Sequence, residues 1–151
     1  MTDRDLWKAV ADRYDRALGE DLLGVAAFGS RARGAAGNDH DILVLARELP
    51  PDPFERSRAI RRPLKRLEDA AQVHVLARTS REFLADVTAL HLDLALDAIV
   101  LLEREEFLTR SLGRIKELIA LAGLCRDADL SWRWTRSPVV DWAIRWDGVI
   151  V

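Results

Sequence analysis

Apolar positions along the chain follow two periods, one suited to helices and one to buried strands. Leu6, Val10, Ala11, Tyr14 and Leu18 recur at helical spacing, with Asp3, Asp12, Arg13 and Arg16 between them. This predicts an amphipathic helix over Asp3 to Leu18, stopped by Gly19. Leu22 to Phe28 is a short, wholly apolar run and reads as a buried strand, broken by Gly29-Ser30. Arg31 to Gly37 is a loop or helical turn of small residues, and Asp41 to Ala46 a second buried strand. After a proline-rich turn at Leu49 to Pro53, a charged helix is expected over Phe54 to Asp69, kinked before Pro63. Val73 to Ala77 is a third strand. Thr79 and Glu82 form a capping-box start for a helix reaching about Leu96. Ala98 to Leu102 reads as a fourth strand, and Glu105 to Ala122 as a long amphipathic helix closed by Gly123.

The tail from Leu130 to Val151 differs from the rest. It contains Trp132, Trp134, Trp142 and Trp146, and reads as two short strands joined by a loop around Pro138. Neither a repeat nor a linker divides the chain, so one domain over 1–151 is expected, with the Trp-rich extension packed on it. Helices alternating with short strands imply an α+β (mixed α/β) fold: a short mixed β-sheet flanked by helices.

Composition narrows the classes. With 151 residues, 49% hydrophobic and 32% charged, the chain is long enough for a real core and has a globular balance. A formal net charge of −2 argues against a protein that coats nucleic acid, so nucleic acid is not an expected partner, although a local basic patch stays open. Cys125 is the single cysteine, so no intrachain disulfide can form and a reducing compartment is the natural reading. Met1 to Trp7 lacks the apolar core of a signal peptide. Leu90 to Leu102 is too short to cross a bilayer and is interrupted by Asp93 and Asp97. A cytoplasmic protein without a membrane partner is expected.

The chemistry concentrates in Phe28-Gly29-Ser30-Arg31-Ala32-Arg33-Gly34 and Asn38-Asp39-His40-Asp41-Ile42-Leu43-Val44. Asp39 and Asp41 are two apart at the start of a strand, which puts both carboxylates on one face. Two such charges repel unless a cation lies between them. Mg²⁺ is bound in this way, by one or two carboxylates together with substrate phosphates. Upstream, a strand ending in Gly-Ser and turning into a helix-like segment exposes backbone N–H groups that favour an anion. Gly29 lets a phosphate approach the backbone, Ser30 offers a hydroxyl, and Arg31 and Arg33 add positive charge. Together these make a candidate site for a metal-bound nucleotide.

The composite of Gly-Ser-Arg-Ala-Arg-Gly followed by Asp-x-Asp and apolar residues resembles the polymerase-β-type nucleotidyltransferase superfamily, in particular its minimal nucleotidyltransferase (MNT) branch. The resemblance is strongest over Leu22 to Leu45 and extends more loosely to about Ala122. It implies a nucleotidyltransferase fold. It also implies phosphate contacts from Gly29 and Ser30, with Arg31 and Arg33 beside them. Asp39 and Asp41 would act as metal ligands for Mg²⁺, with room for two ions, and a nucleoside triphosphate, ATP being expected, would be the substrate. The gap between Ser30 and Asp39 is shorter than is usual in that branch, which predicts a tight loop. On the third strand, where the family commonly places a third carboxylate, this chain has His74. An imidazole there can serve as general base but does not supply the carboxylate's charge. The resemblance further implies a HEPN-type protein partner, as for antitoxins, and leaves a homo-oligomer open.

Plainer readings stand beside these. Asp39 and Asp41 alone would be a solvated turn, and Arg31 and Arg33 alone exposed charge. His74 alone would be a histidine without catalytic role. His40, between the aspartates, faces the other way and reads as structural, and His91 lies on a helix without a nameable partner. Asp86, Asp93, Asp97 and the Glu103–Glu106 cluster read as solvated helix faces and caps. The tail tryptophans, interspersed with Arg133, Arg136 and Arg145, could stack on bases, but Trp132 and Trp134 share one strand face, which favours core or interface packing. Three functions follow: a Mg²⁺-dependent nucleotidyltransferase, a degenerate nucleotidyltransferase fold that binds nucleotide and a partner protein, and, more weakly, an RNA-binding domain.

Overall fold

A computed structural model of the chain describes residues 1–135 and 143–150. Trp142, Arg136 and the loop expected around Pro138 lie outside the described residues. The chain opens with α1 (Asp3–Leu18), started by a capping box in which Thr2 and Asp5 satisfy each other's backbone N–H groups. β1 (Leu22–Phe28), the short helix α2 (Gly29–Ala32) and β2 (His40–Ala46) follow. Then come α3 (Pro53–Arg61), β3 (Val73–Thr79), α4 (Ser80–Phe83), α5 (Ala89–Asp97), β4 (Ile99–Glu103) and α6 (Phe107–Ala122).

One four-stranded sheet organises these elements, in the order β3-β2-β1-β4. β1 runs antiparallel to β2 and to β4, whereas β2 and β3 run parallel, so the sheet is mixed, as expected. β1 and β2 are almost wholly buried because both of their faces are covered, which explains their unbroken apolar runs. On one face α1, α3 and the turn after α3 pack Leu6, Val10, Tyr14, Ile60 and Leu64 against Val25, Ile42 and Val44. On the other, α5 and α6 bring Leu92, Leu94, Leu108 and Ile115 against Leu23, Ala26, Leu43 and Leu45. Among the described residues no helix is long and apolar enough to cross a membrane.

Three expectations change in kind. The helix expected over Phe54 to Asp69 ends at Arg61 and gives way to a 3-10 turn at Arg62–Leu64, where Pro63 has no N–H to continue the ladder. The helix expected from Ser80 to about Leu96 is two helices. Thr79 and Glu82 form the expected capping box, but a second box, Thr88 with His91, starts a new helix at Ala89. The first tail strand pairs with the chain before it: β6 (Trp132–Trp134) is antiparallel to β5 (Leu124–Arg126), while β7 (Ala143–Arg145) and β8 (Gly148–Ile150) form their own hairpin. Trp132 and Trp146 pack against the α5–α6 core.

Candidate functional site

β1 ends where β2 begins, because the two strands are antiparallel, and β3 begins beside β2 because those two are parallel. The C-terminal end of β1 and the starts of β2 and β3 therefore meet at one rim of the sheet. There Asp41 stands in register between Phe28 of β1 and His74 of β3. Asp39, two residues earlier, lies just outside the strand and is exposed. Its Oδ1 is 3.8 Å from His74 Nε2. His40, of opposite parity, is buried at 3% exposure, and its Nδ1 accepts a 3.0 Å hydrogen bond from the Trp7 indole N–H. The alternation expected for Asp39-His40-Asp41 is thus present, with the imidazole inward on the α1 side.

Gly29 occupies the left-handed region at φ +77°, and a Cβ placed on it would lie 3.2 Å from Asp41 Cγ and closer still to Oδ2. Any side chain there is both strained and in collision with the carboxylate. The first turn of α2 follows directly, and the amides of such a turn have no partners within their own helix. The loop back to β2 is tight, as the short spacing predicts. Ala35 N–H donates to Ser30 O at 3.0 Å, and Gly37 lies so near Ser30 that a Cβ on it would be 2.6 Å from Oγ.

The two arginines of the motif are engaged by protein groups. Arg31 donates to the Gly37 carbonyl at 2.6 Å and pairs with Asp3 in the first turn of α1. Its Nε is buried and has no hydrogen-bond partner among the described residues. Arg33 donates to Asp97 Oδ2 at 3.0 Å. Asp97 also takes both terminal nitrogens of Arg126, at 2.7 Å each, and its side chain is only 6% exposed. Asp93 accepts from Arg126 and from the Trp132 indole N–H. These bonds hold Asp97's carboxyl below the usual range against its own burial, and they raise Arg126. Asp93 and Asp97 are therefore not the solvated helix face expected from their spacing. They form a junction joining α2, α5 and β5, and no sequence signal foretells pairs so far apart.

Among the described residues no three His, Cys, Asp or Glu side chains converge as a metal cluster. Two carboxylates at a rim, next to a glycine held open by contact with one of them, match the way Mg²⁺ is bound jointly by protein and phosphate.

No protein-family model matches the chain, and no curated protein matches it. It is similar to solved structures of nucleotidyltransferase and MNT toxin–antitoxin proteins. One is a candidate nucleotidyltransferase from Sulfolobus solfataricus, 23% identical over 68% of this chain and 82% of the other, with a TM-score of 0.49. Another is a toxin–antitoxin with AMP-PNP, 19% identical over 75% and 90%, TM-score 0.49. A third is a tri-AMPylated HEPN toxin from Shewanella oneidensis in complex with its MNT antitoxin, 19% identical over 78% and 90%, TM-score 0.48.

Proposed function

We propose that the chain is a Mg²⁺-dependent nucleotidyltransferase that moves a nucleoside monophosphate from a triphosphate, ATP being the expected one, to an acceptor hydroxyl. The observation that carries this reading is the approach of Asp41 to Gly29. It sets a carboxylate against a strand-end glycine, and free amides in the turn that follows would favour a phosphate. Gly29 and Ser30 hold the phosphates in this reading. Asp39 and Asp41 hold the metal, which supplies charge neutralisation on the phosphates. Arg31 and Arg33 act through the turn they pin, rather than on the phosphates directly, because Asp3, Gly37 and Asp97 already engage them.

The acceptor oxygen attacks the α-phosphorus, the bond to the β-phosphate oxygen breaks, and pyrophosphate leaves. His74, exposed and beside Asp39, is the group to take the acceptor's proton. The family resemblance makes a hydroxyl on a HEPN-type partner protein the expected acceptor. Incubation with α-labelled ATP and Mg²⁺, with and without the protein encoded by the neighbouring gene, tests it. Label on either protein supports transfer. Its absence, with ATP still bound, favours a second reading, a nucleotide-binding module that docks on a partner. His74, standing opposite Asp41 where the resemblance implies a third carboxylate, supports that reading.

A further inference from the structure

α3 and the 3-10 turn after it concentrate positive charge that the proposed chemistry does not use. Residues 53–66 carry five arginines and Lys65 against the single acid Glu55, in a chain of net charge −2. The apolar side of this segment turns inward, with Ile60 and Leu64 at 4% and 1% exposure. Arg58, Arg61, Arg62, Lys65 and Arg66 are all exposed. Arg56 is neutralised by a two-pronged bond to Glu82, and Arg61 holds only the carbonyls of Val73 and Ala70. Among the described residues, Arg58, Arg62, Lys65 and Arg66 form no ion pair, and Glu55, one turn before Arg58, pairs with none of them.

A second observation falls on the same stretch. Phe54, in the first turn of α3, is 80% exposed. Arg58 follows it one turn later on α3, and Arg62 opens the 3-10 turn that continues the helix. Lys65 and Arg66 follow directly after the 3-10 turn. Guanidinium groups bind phosphate oxygens in pairs, and an exposed aromatic ring stacks on an unpaired base. An acidic protein surface would answer the charges and leave the ring without a role. A duplex keeps its bases stacked away from such a ring.

We propose that this stretch, from α3 through the 3-10 turn to Arg66, binds single-stranded nucleic acid, with phosphates on Arg58, Arg62, Lys65 and Arg66 and a base on Phe54. The rest of the chain carries the compensating negative charge, which directs a polyanion to this face. The inference does not depend on the nucleotidyl-transfer reading, and nucleotide binding at Asp41 is measured separately.

The test is fluorescence anisotropy with a labelled single-stranded RNA, the same sequence as DNA, the matching duplex and a labelled polyglutamate peptide, at low and high salt. The whole chain is expected to bind the single strands with an affinity that falls as salt rises. Either a ribose or a deoxyribose preference accords with the proposal. Arg58→Ala with Arg62→Ala should weaken binding by at least about tenfold and reduce the salt slope by roughly one to two. Phe54→Ala should weaken the single strand while leaving the duplex and the peptide unchanged. Wild-type affinity in the double variant overturns the proposal. So does polyglutamate bound as tightly as the single strand with Phe54→Ala without effect, which assigns the face to an acidic protein.

Discussion

The Asp41 carboxylate rests against the α-carbon of Gly29 across the β1–β2 pair, in the space that a side chain on Gly29 would fill. Gly34, at φ +79°, shares the left-handed backbone but has nothing within 4 Å of a would-be Cβ. The two glycines separate backbone strain from occupancy of the site. Either alanine substitution is expected to cost about 1–3 kcal/mol through its φ. Only Gly29→Ala should also lose Mg²⁺–ATP binding. Calorimetric titration and thermal unfolding of both variants check this, and equal affinities would remove Gly29 from the phosphate site.

Asp41→Asn should leave the fold intact and weaken Mg²⁺–nucleotide binding by at least tenfold, because one of two adjacent carboxylates is gone. The same change relieves repulsion between them, so the unfolding midpoint in metal-free buffer should hold or rise. A variant that titrates with ATP and Mg²⁺ like the wild type would overturn the metal assignment.

His74→Asp places a third carboxylate opposite Asp41 in the β2–β3 register. Mg²⁺ affinity should rise and transfer should stay level or increase, whereas His74→Ala should slow transfer if the imidazole takes the acceptor's proton. Weaker Mg²⁺ binding in His74→Asp would mean that position 74 does not look onto the two aspartates.

Sequence pattern was sufficient for the parts of this site that depend on neighbours in the chain. The apolar run Leu22–Phe28 matches β1 residue for residue, and the parity of Asp39-His40-Asp41 placed His40 inward. His74 lies beside Asp39 and opposite Asp41, a placement that the family resemblance, not the pattern, implied. What pattern did not carry was pairing between distant residues. Arg31 with Asp3 and Arg126 with Asp97 join elements far apart in sequence, and each partner alone looks like surface charge. Leu124–Arg126 spans three residues, too few to show a period, so the partner of Trp132–Trp134 stayed hidden.

Asp97 is enclosed by Arg33 and Arg126, and its loss leaves two guanidinium groups facing each other with less counter-charge. Asp97→Asn should destabilise the chain by roughly 3 kcal/mol. The measurable sign is a lower unfolding midpoint, accompanied by faster proteolysis of the segment after Gly123. An unchanged midpoint would show that the junction contributes little.

His91 gives a pH signature. Its Nδ1 accepts from the Thr88 N–H at 3.0 Å, and Nε2 lies 2.8 Å from the Phe83 carbonyl, so the neutral ring with its proton on Nε2 satisfies both. Burial lowers its pKa below the ordinary 6.5, and the Phe83 bond only partly opposes this. The unfolded chain therefore takes up the proton first. The contribution of the neutral ring is full above about 6.5 and is lost as pH falls from there through the folded value. Denaturant midpoints should decline over that interval in the wild type and decline less in His91→Gln. Parallel curves would show that another group governs the acid limb.

The pairing of Arg31 with Asp3 has a practical consequence for anyone handling the protein. The turn that carries Ser30 is moored to the opening turn of the first helix, and through Arg31 the same mooring reaches the Gly37 carbonyl. A purification tag fused at Met1 that displaces Asp3 would disturb the Ser30 turn while the core, with Val10 and Tyr14 at 0% exposure, still melts normally. A tag-dependent ATP affinity at constant melting temperature is the laboratory symptom to expect, and moving the tag elsewhere the remedy.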